Sequence, residues 1–150
     1  MTELEIIAAL TEHNVFALTL FGEVRSEPIE GIIAVACIVR NRVRTKYRGE
    51  TYRGACLSPW QFSCWKKEGG AANHAALIAM AESLVSGDAA KDGVFAVCAY
   101  VAGETMRGVF RDRVGSCRHY YAAGTPEPAW AKGKTPAYTV GRHLFFEGIA

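Results

Sequence analysis

The sequence predicts an α+β fold, mainly α, with a small antiparallel β element near the C-terminus. Three observations predict it. Apolar residues recur at helical spacing along most of the chain before Gly108, and β-prone residues that partly alternate are confined to the stretch after it. Both regimes share 150 residues, half of them hydrophobic, with no low-complexity tract, which suits one domain over residues 1–150 with a single core.

Thr2 with Glu5 makes a capping box, so a first helix is expected from about residue 3 to 21, carrying Leu4, Ile7, Ala8, Leu10, Val15 and Leu18. The next begins near Pro28, a residue favoured in the first turn of a helix, and runs to about Arg44. Its apolar residues Ile29, Ile32, Ile33, Ala36, Val39 and Val43 form one stripe, while Val35 and Ile38 fall elsewhere, which marks a central, buried helix. Residues 45 to 70 lack a helical period and contain Gly49, Gly54, Pro59, Gly69 and Gly70. They are expected to form a long irregular segment anchored by Tyr47, Tyr52, Trp60, Phe62 and Trp65, and such loops in a small domain are usually functional. Asn73 is the expected cap of a helix ending before Gly87, and Lys91 to Gly103 reads as another, bearing Val94, Val97, Cys98 and Val101. Beyond Gly108, Arg118–Tyr121 and Tyr138–Phe146 read as strands, with Pro126, Pro128 and Pro136 in the connection.

Charge and cysteine content narrow the function classes. Seventeen Lys and Arg against fifteen Asp and Glu leave a net charge of +2, too small to imply nucleic-acid binding. Arginine is dense in Arg40, Arg42, Arg44, Arg48 and Arg53 and again in Arg107, Arg111, Arg113 and Arg118; these read as solvated faces, with attraction to an anionic polymer such as a cell wall as the functional alternative. The acidic start, Met1-Thr2-Glu3-Leu4-Glu5, is unlike a secretory signal, and no apolar run approaches a membrane span. The expectation is synthesis in the cytoplasm, no membrane insertion, and access to any target outside only by export or release. The five cysteines show no C-x-x-C pair and no ligand spacing with His13, His74, His119 or His143, so no metal or other cofactor is expected. Reduced, buried thiols are the expected state, with one disulfide among Cys56, Cys64 and Cys117 and a Cys nucleophile paired with His119 or His143 as the alternatives.

Glu23 stands where an apolar helical run meets the polar turn Arg25-Ser26-Glu27-Pro28. A carboxyl at such an edge is half desolvated, which raises its pKa toward the range a general acid needs; the plain alternative is a solvated carboxylate at a helix end.

Together these motifs resemble the SleB-like cell-wall hydrolase family, which includes spore-cortex-lytic enzymes. The resemblance rests on Gly22-Glu23-Val24-Arg25 with Glu27, on Gly31 to Ala36 leading into Asn41-Arg42-Val43, on Gln61-Phe62-Ser63 with Trp65, and on His119-Tyr120-Tyr121, Pro128-Ala129-Trp130 and His143-Leu144-Phe145. It implies a lysozyme-like fold, peptidoglycan glycan strands as substrate, Glu23 as the catalytic acid, and Gln61, Phe62 and Ser63 on the cleft wall opposite it. The chain departs from the family in Val24, where Ala is usual, in its extra cysteines, and in lacking a signal peptide or separate wall-binding domain; these departures favour a phage or prophage lysis protein over a spore role.

Most glycosidases use two carboxylates, and here Glu27, Glu30 and the more distant Asp112 are the candidates beside Glu23. Glu27 and Glu30 also read as favourable charges in the first turn of the second helix. A single acid suffices in a lytic transglycosylase, where the muramic C6 hydroxyl attacks its own anomeric carbon. Trp65, Tyr120, Tyr121 and Trp130 suit stacking on sugar faces, or else the core; Gln61, Ser63 and His119 suit hydrogen bonds to sugar substituents. Asn41 and Arg42 are expected to anchor the loop after the second helix, His143 to bond backbone near the cleft, and His13 and His74 to lie on the surface. The expected partner is peptidoglycan alone, bound by a monomer. The competing functions are a zinc-dependent amidase and a non-catalytic glycan-binding module.

Overall fold

The computed structural model describes residues 1–88 and 92–150. Six helices precede a three-stranded sheet: α1 Glu3–Ala9, α2 Glu12–Val24, α3 Ile29–Thr45, α4 Tyr52–Leu57, α5 Ala71–Ser86, α6 Gly93–Met106, then β1 His119–Ala122, β2 Tyr138–Val140 and β3 His143–Phe146. The sheet is antiparallel in the order β1-β3-β2, with His119 opposite Phe146 and Val140 opposite His143. It is mainly helical with a small sheet near the C-terminus, as the periodicities predict.

The expected first helix is two helices. The capping box at Thr2 and Glu5 forms, but Leu10 turns extended and Thr11 caps a new helix by accepting the Asn14 amide. Arg53 seals the break, donating to the carbonyls of Leu10 at 2.9 Å and of Ile7 at 2.8 Å, the latter also bonded by the Leu10 amide. The break frees α2 to run through the centre of the molecule. Its residues Val15 to Phe21 and Val24 are all buried, and it packs against α3, α4, α5 and α6.

α3 is the buried helix its pattern predicts, inaccessible from Gly31 to Arg42. Pro28 sits just outside it as the cap residue, and Lys46 ends it in the left-handed conformation. That burial corrects the solvated reading for two arginines: Arg40 and Arg42 are each 4% exposed. The segment 45–70 is less irregular than expected. Thr51 caps α4 through the Gly54 amide, and short 3-10 turns follow at Ser63–Trp65 and Lys67–Gly69.

Asn73 is not a cap. α5 starts earlier, at Ala71 after Gly70, and Asn73 points back to α2. The expected start of the next helix at Lys91 lies outside the described residues; Asp92 caps α6, which buries Phe95, Cys98, Val101, Ala102 and Thr105 while Val94 and Val97 stay exposed. His74, expected on the surface, is 5% exposed: its ring nitrogens lie 3.0 Å from the Cys64 carbonyl and 3.2 Å from the Glu3 carboxylate, joining α5 to α1. His13 is exposed, as expected. All five cysteines are buried free thiols, so the disulfide alternative fails. Among the described residues no helix is long and apolar enough to cross a membrane.

Candidate active site

A cleft of about 610 Å³ opens between the C-terminal end of α2, the 60–63 segment and the sheet. Glu23 lies in the last turn of α2, where the partial negative charge of the helix end disfavours an ionised carboxylate. One oxygen accepts the Tyr120 hydroxyl at 2.8 Å and the other the Cys64 amide at 3.3 Å. Burial raises its pKa above the ordinary value, and the bonds from Tyr120 and Cys64 and the charge of Arg42 only partly oppose this. Burial and the adjacent Glu23 push the Tyr120 hydroxyl well above the usual phenol range, so it remains a donor.

The polypeptide reaches this arrangement through α3. Asn41 donates to the carbonyls of Gly115 at 2.9 Å and Cys117 at 2.8 Å, and Arg42 donates to that of Arg118 at 2.8 Å. Their side chains therefore anchor the approach to β1, while their carbonyls hold the loop after α3, Arg42 accepting the Tyr47 amide at 2.8 Å and Asn41 the Thr45 hydroxyl at 2.8 Å; β1 then carries Tyr120 to Glu23. Gly22 allows the other contact. A Cβ there would lie 2.6 Å from the Cβ of Cys64, so only glycine lets the 63–65 turn approach the helix closely enough for its amide to reach Glu23.

Gln61, Ser63, His119, Tyr120, Tyr121 and Trp130 line the cleft with Glu23. Gln61 accepts from Arg42 at 3.3 Å. His119 stands 3.1 Å from the Tyr47 hydroxyl and 5.0 Å, ring to ring, from Trp130. Burial, then the charges of Arg42, Arg118 and Arg48, lower its pKa to about 4, so at neutral pH the ring is uncharged and offers both a donor and an acceptor.

Two expected wall residues are elsewhere. Phe62 is 2% exposed beneath the Arg42 guanidinium, 5.0 Å from its ring centre, and Trp65 packs against the core with its indole N–H on the Thr19 hydroxyl at 2.9 Å. From Gln61 to Cys64 alternate side chains divide between cleft and core, and Trp65 follows Cys64 into the core. His143 lines the cleft but makes no backbone bond; its buried Nδ1 has no hydrogen-bond partner and lies 3.5 Å from Glu27.

The other candidate carboxylates are each engaged by an arginine and do not line the cleft, although Glu27 lies directly behind the cleft-lining His143. Glu27 precedes α3 instead of opening it and pairs with Arg142 at 3.2 Å, Glu30 pairs with Arg113 at 2.9 Å, and Asp112 with Arg40 at 3.0 Å. Among the described residues no acidic side chain other than Glu23 lines the cleft. Burial raises the thiols, Cys56 and Cys117 to about 12 and Cys98 to about 11, and no cysteine lines the cleft beside His119 or His143, which removes the thiolate nucleophile reading.

Sequence reasoning missed Tyr47, Arg48, Trp60 and Asn73 as cleft residues. Trp60 had a signal, since it directly precedes Gln61; it is 75% exposed at the cleft, on a left-handed backbone with φ 64°. Asn73 had none, because its place beside Gly22, to whose carbonyl it donates at 2.9 Å, arises from the packing of α5 on α2.

The chain belongs to a class of wall-degrading enzymes. A family model described as cell wall hydrolase matches residues 26–146, and the chain belongs to that family. The matched region begins just after Glu23, so the case for that residue rests on geometry. Among solved structures, the catalytic domain of a germination-specific lytic transglycosylase, SleB, from Bacillus anthracis superposes with a TM-score of 0.61 at 20% identity, covering 89% of this chain and 92% of that one. The fold is therefore lysozyme-like, the fold of the SleB catalytic domain. No curated protein matches the chain.

Proposed function

We propose that the protein cleaves peptidoglycan glycan strands between N-acetylmuramic acid and N-acetylglucosamine, with Glu23 as general acid and then base. The observation that carries this reading is one half-buried carboxyl with a raised pKa, aimed into a cleft that no other described acidic side chain lines. A carboxyl that keeps its proton can give it to the glycosidic oxygen as the bond breaks. A two-carboxylate mechanism would need a partner roughly 5–9.5 Å away, and Asp112, Glu27 and Glu30 are each held by an arginine outside the cleft.

One-acid chemistry uses the substrate's own nucleophile. The C1–O bond to the leaving sugar breaks as its oxygen takes the Glu23 proton. The muramic C6 oxygen bonds to C1, and its proton returns to Glu23. The product ends in 1,6-anhydromuramic acid and no water is consumed. The solved lytic transglycosylase domain of the same fold supports this choice over hydrolysis. Trp60, Tyr121 and Trp130 would face sugar rings and Gln61, Ser63 and His119 their polar substituents. Work on the wall follows export or release from the cytoplasm.

Mass spectrometry of muropeptides released from purified sacculi tests the reading. Wild type should yield ends lighter by one water than hydrolysis products, and Glu23→Gln should lose roughly 10²–10⁴ of the rate. Mainly reducing ends, or a variant keeping more than about a tenth of the activity, would overturn it.

A further inference from the structure

The cleft wall around Tyr47 gathers positive charge, and among the described residues no acidic side chain pairs with it. Three guanidinium groups surround the Tyr47 ring, those of Arg118, Arg48 and Arg42 at 4.2, 5.1 and 5.8 Å from its centre. The ring attracts each cation, but three like charges around one half-buried ring repel one another. Arg42 and Arg118 spend their hydrogen bonds on neutral acceptors: Arg42 on the Arg118 carbonyl and Gln61, Arg118 on Thr45 and the Ile149 carbonyl. The carboxylate nearest in sequence, Glu50, faces Lys46 at 4.0 Å instead.

The wall is also rigidly built. The Tyr47 amide bonds the Arg42 carbonyl at 2.8 Å, and its hydroxyl reaches His119 at 3.1 Å and the main-chain oxygen of Ala150, the last residue of the sequence, at 3.0 Å. Arg48 follows on a left-handed backbone with φ 64°, an uncommon conformation for a non-glycine residue. That backbone leaves the Arg48 side chain exposed at the cleft, with no described hydrogen-bond acceptor for its planar, five-donor head.

We infer that this wall is a carboxylate subsite, with Arg48 closing as a fork on an ionised carboxylate of the wall glycan. Resting on the function proposed above, it narrows the substrate class to acidic muramyl glycan and disfavours neutral chitin-type chains. The carboxylate has two sources of one chemistry: the lactyl group of a muramic acid without its peptide, or the free acids of an attached stem peptide. An Arg fork suits either, because its two parallel N–H donors match the two carboxylate oxygens.

Binding to the catalytically silent Glu23→Gln protein separates this inference from the catalytic one. The probes are a disaccharide-peptide with free carboxylates, the same compound amidated, the disaccharide stripped to its lactyl acid, and an N-acetylglucosamine oligomer, followed by calorimetry. The free acid should bind about tenfold more tightly than its amide, the equivalent of about 1.4 kcal/mol, and the gap should shrink with salt. Adding Arg48→Gln should erase that gap while leaving affinity for the amide unchanged, and Arg48→Lys should restore only part of it. Whichever acid, stem or lactyl, loses affinity names the source. Equal binding of acid and amide, or a gap that survives Arg48→Gln, overturns the subsite and leaves the glycosidic reading intact. Failure of every wall fragment to bind overturns both.

Discussion

Gly22→Ala tests how closely the acid's position depends on one missing methyl group. The new Cβ would lie 2.6 Å from the Cβ of Cys64, 2.7 Å from its sulfur and 3.5 Å from a Leu77 methyl. Carbon atoms in contact prefer about 3.5–4.0 Å, so the 63–65 turn must retreat by about 1 Å. Neither side yields easily, because Cys64 is 2% exposed and α2 is the central helix. Overpacking of this kind costs about 1–3 kcal/mol, and the better helix propensity of Ala returns about 1, leaving a net loss of roughly 0–2 kcal/mol. For a chain of this size the melting temperature should fall by no more than about 8 °C. Activity should suffer far more. The Cys64 amide, 3.3 Å from Glu23, moves with the turn, and a misplacement of about 1 Å can cost 10²-fold in rate. Thermal melts and initial lysis rates on purified sacculi would read the two effects side by side, and Cys64→Gly in the same chain should return part of the activity. A Gly22→Ala protein as active as wild type would refute the account of how Glu23 is held.

Tyr120→Phe removes a hydrogen bond that favours the Glu23 carboxylate, so the pH above which activity declines should move upward; an unmoved or lowered alkaline limb would count against the 2.8 Å bond as a control on the acid. Because burial raises the Glu23 carboxyl, the folded chain holds that proton more tightly than the unfolded one. Wild-type stability should therefore fall as pH climbs from the ordinary carboxyl range through the folded value, and Glu23→Gln should show no such loss in denaturant titrations across that window. Trp60→Ala should raise KM several-fold on glycan while leaving the melting temperature unchanged, since the ring is 75% exposed. Iodoacetamide should leave the folded protein unlabelled by mass spectrometry and fully active, because all five thiols are buried.

What the sequence made legible is what depends on local pattern. The α3 stripe with Val35 and Ile38 off it announced a helix buried all round, and the β-prone runs announced the sheet. Leu4 to Phe21 looked continuous because Leu10-Thr11 carries no glycine or proline; the break is made by a cap at Thr11 and by Arg53 arriving from α4, and only the second is remote in sequence. His74 went to the wrong side for the same reason, since the Glu3 carboxylate and Cys64 carbonyl that bury it lie on other elements. Within the site, Glu23, Gln61, Ser63, His119, Tyr120, Tyr121 and Trp130 were legible as motif residues, and the structure brings them into one cleft. Phe62 and Trp65 were misplaced because a motif gives residue order, whereas a 3-10 turn decides which of its members face the core. Arg48 was visible only as one member of an arginine cluster, since its place at the cleft depends on a left-handed backbone that a non-glycine residue does not advertise.

Placing the acid on α2 ties the working life of the site to the fold as a whole. Glu23 grows from the helix that touches α3, α4, α5 and α6, and its two partners come from the 63–65 turn and from β1. No hinge loop carries the acid, so there is no small segment whose private melting could switch it off while the rest survives. Heat inactivation should then coincide with global unfolding, and a cell wall hydrolase of this build would stay armed until the moment its core is lost.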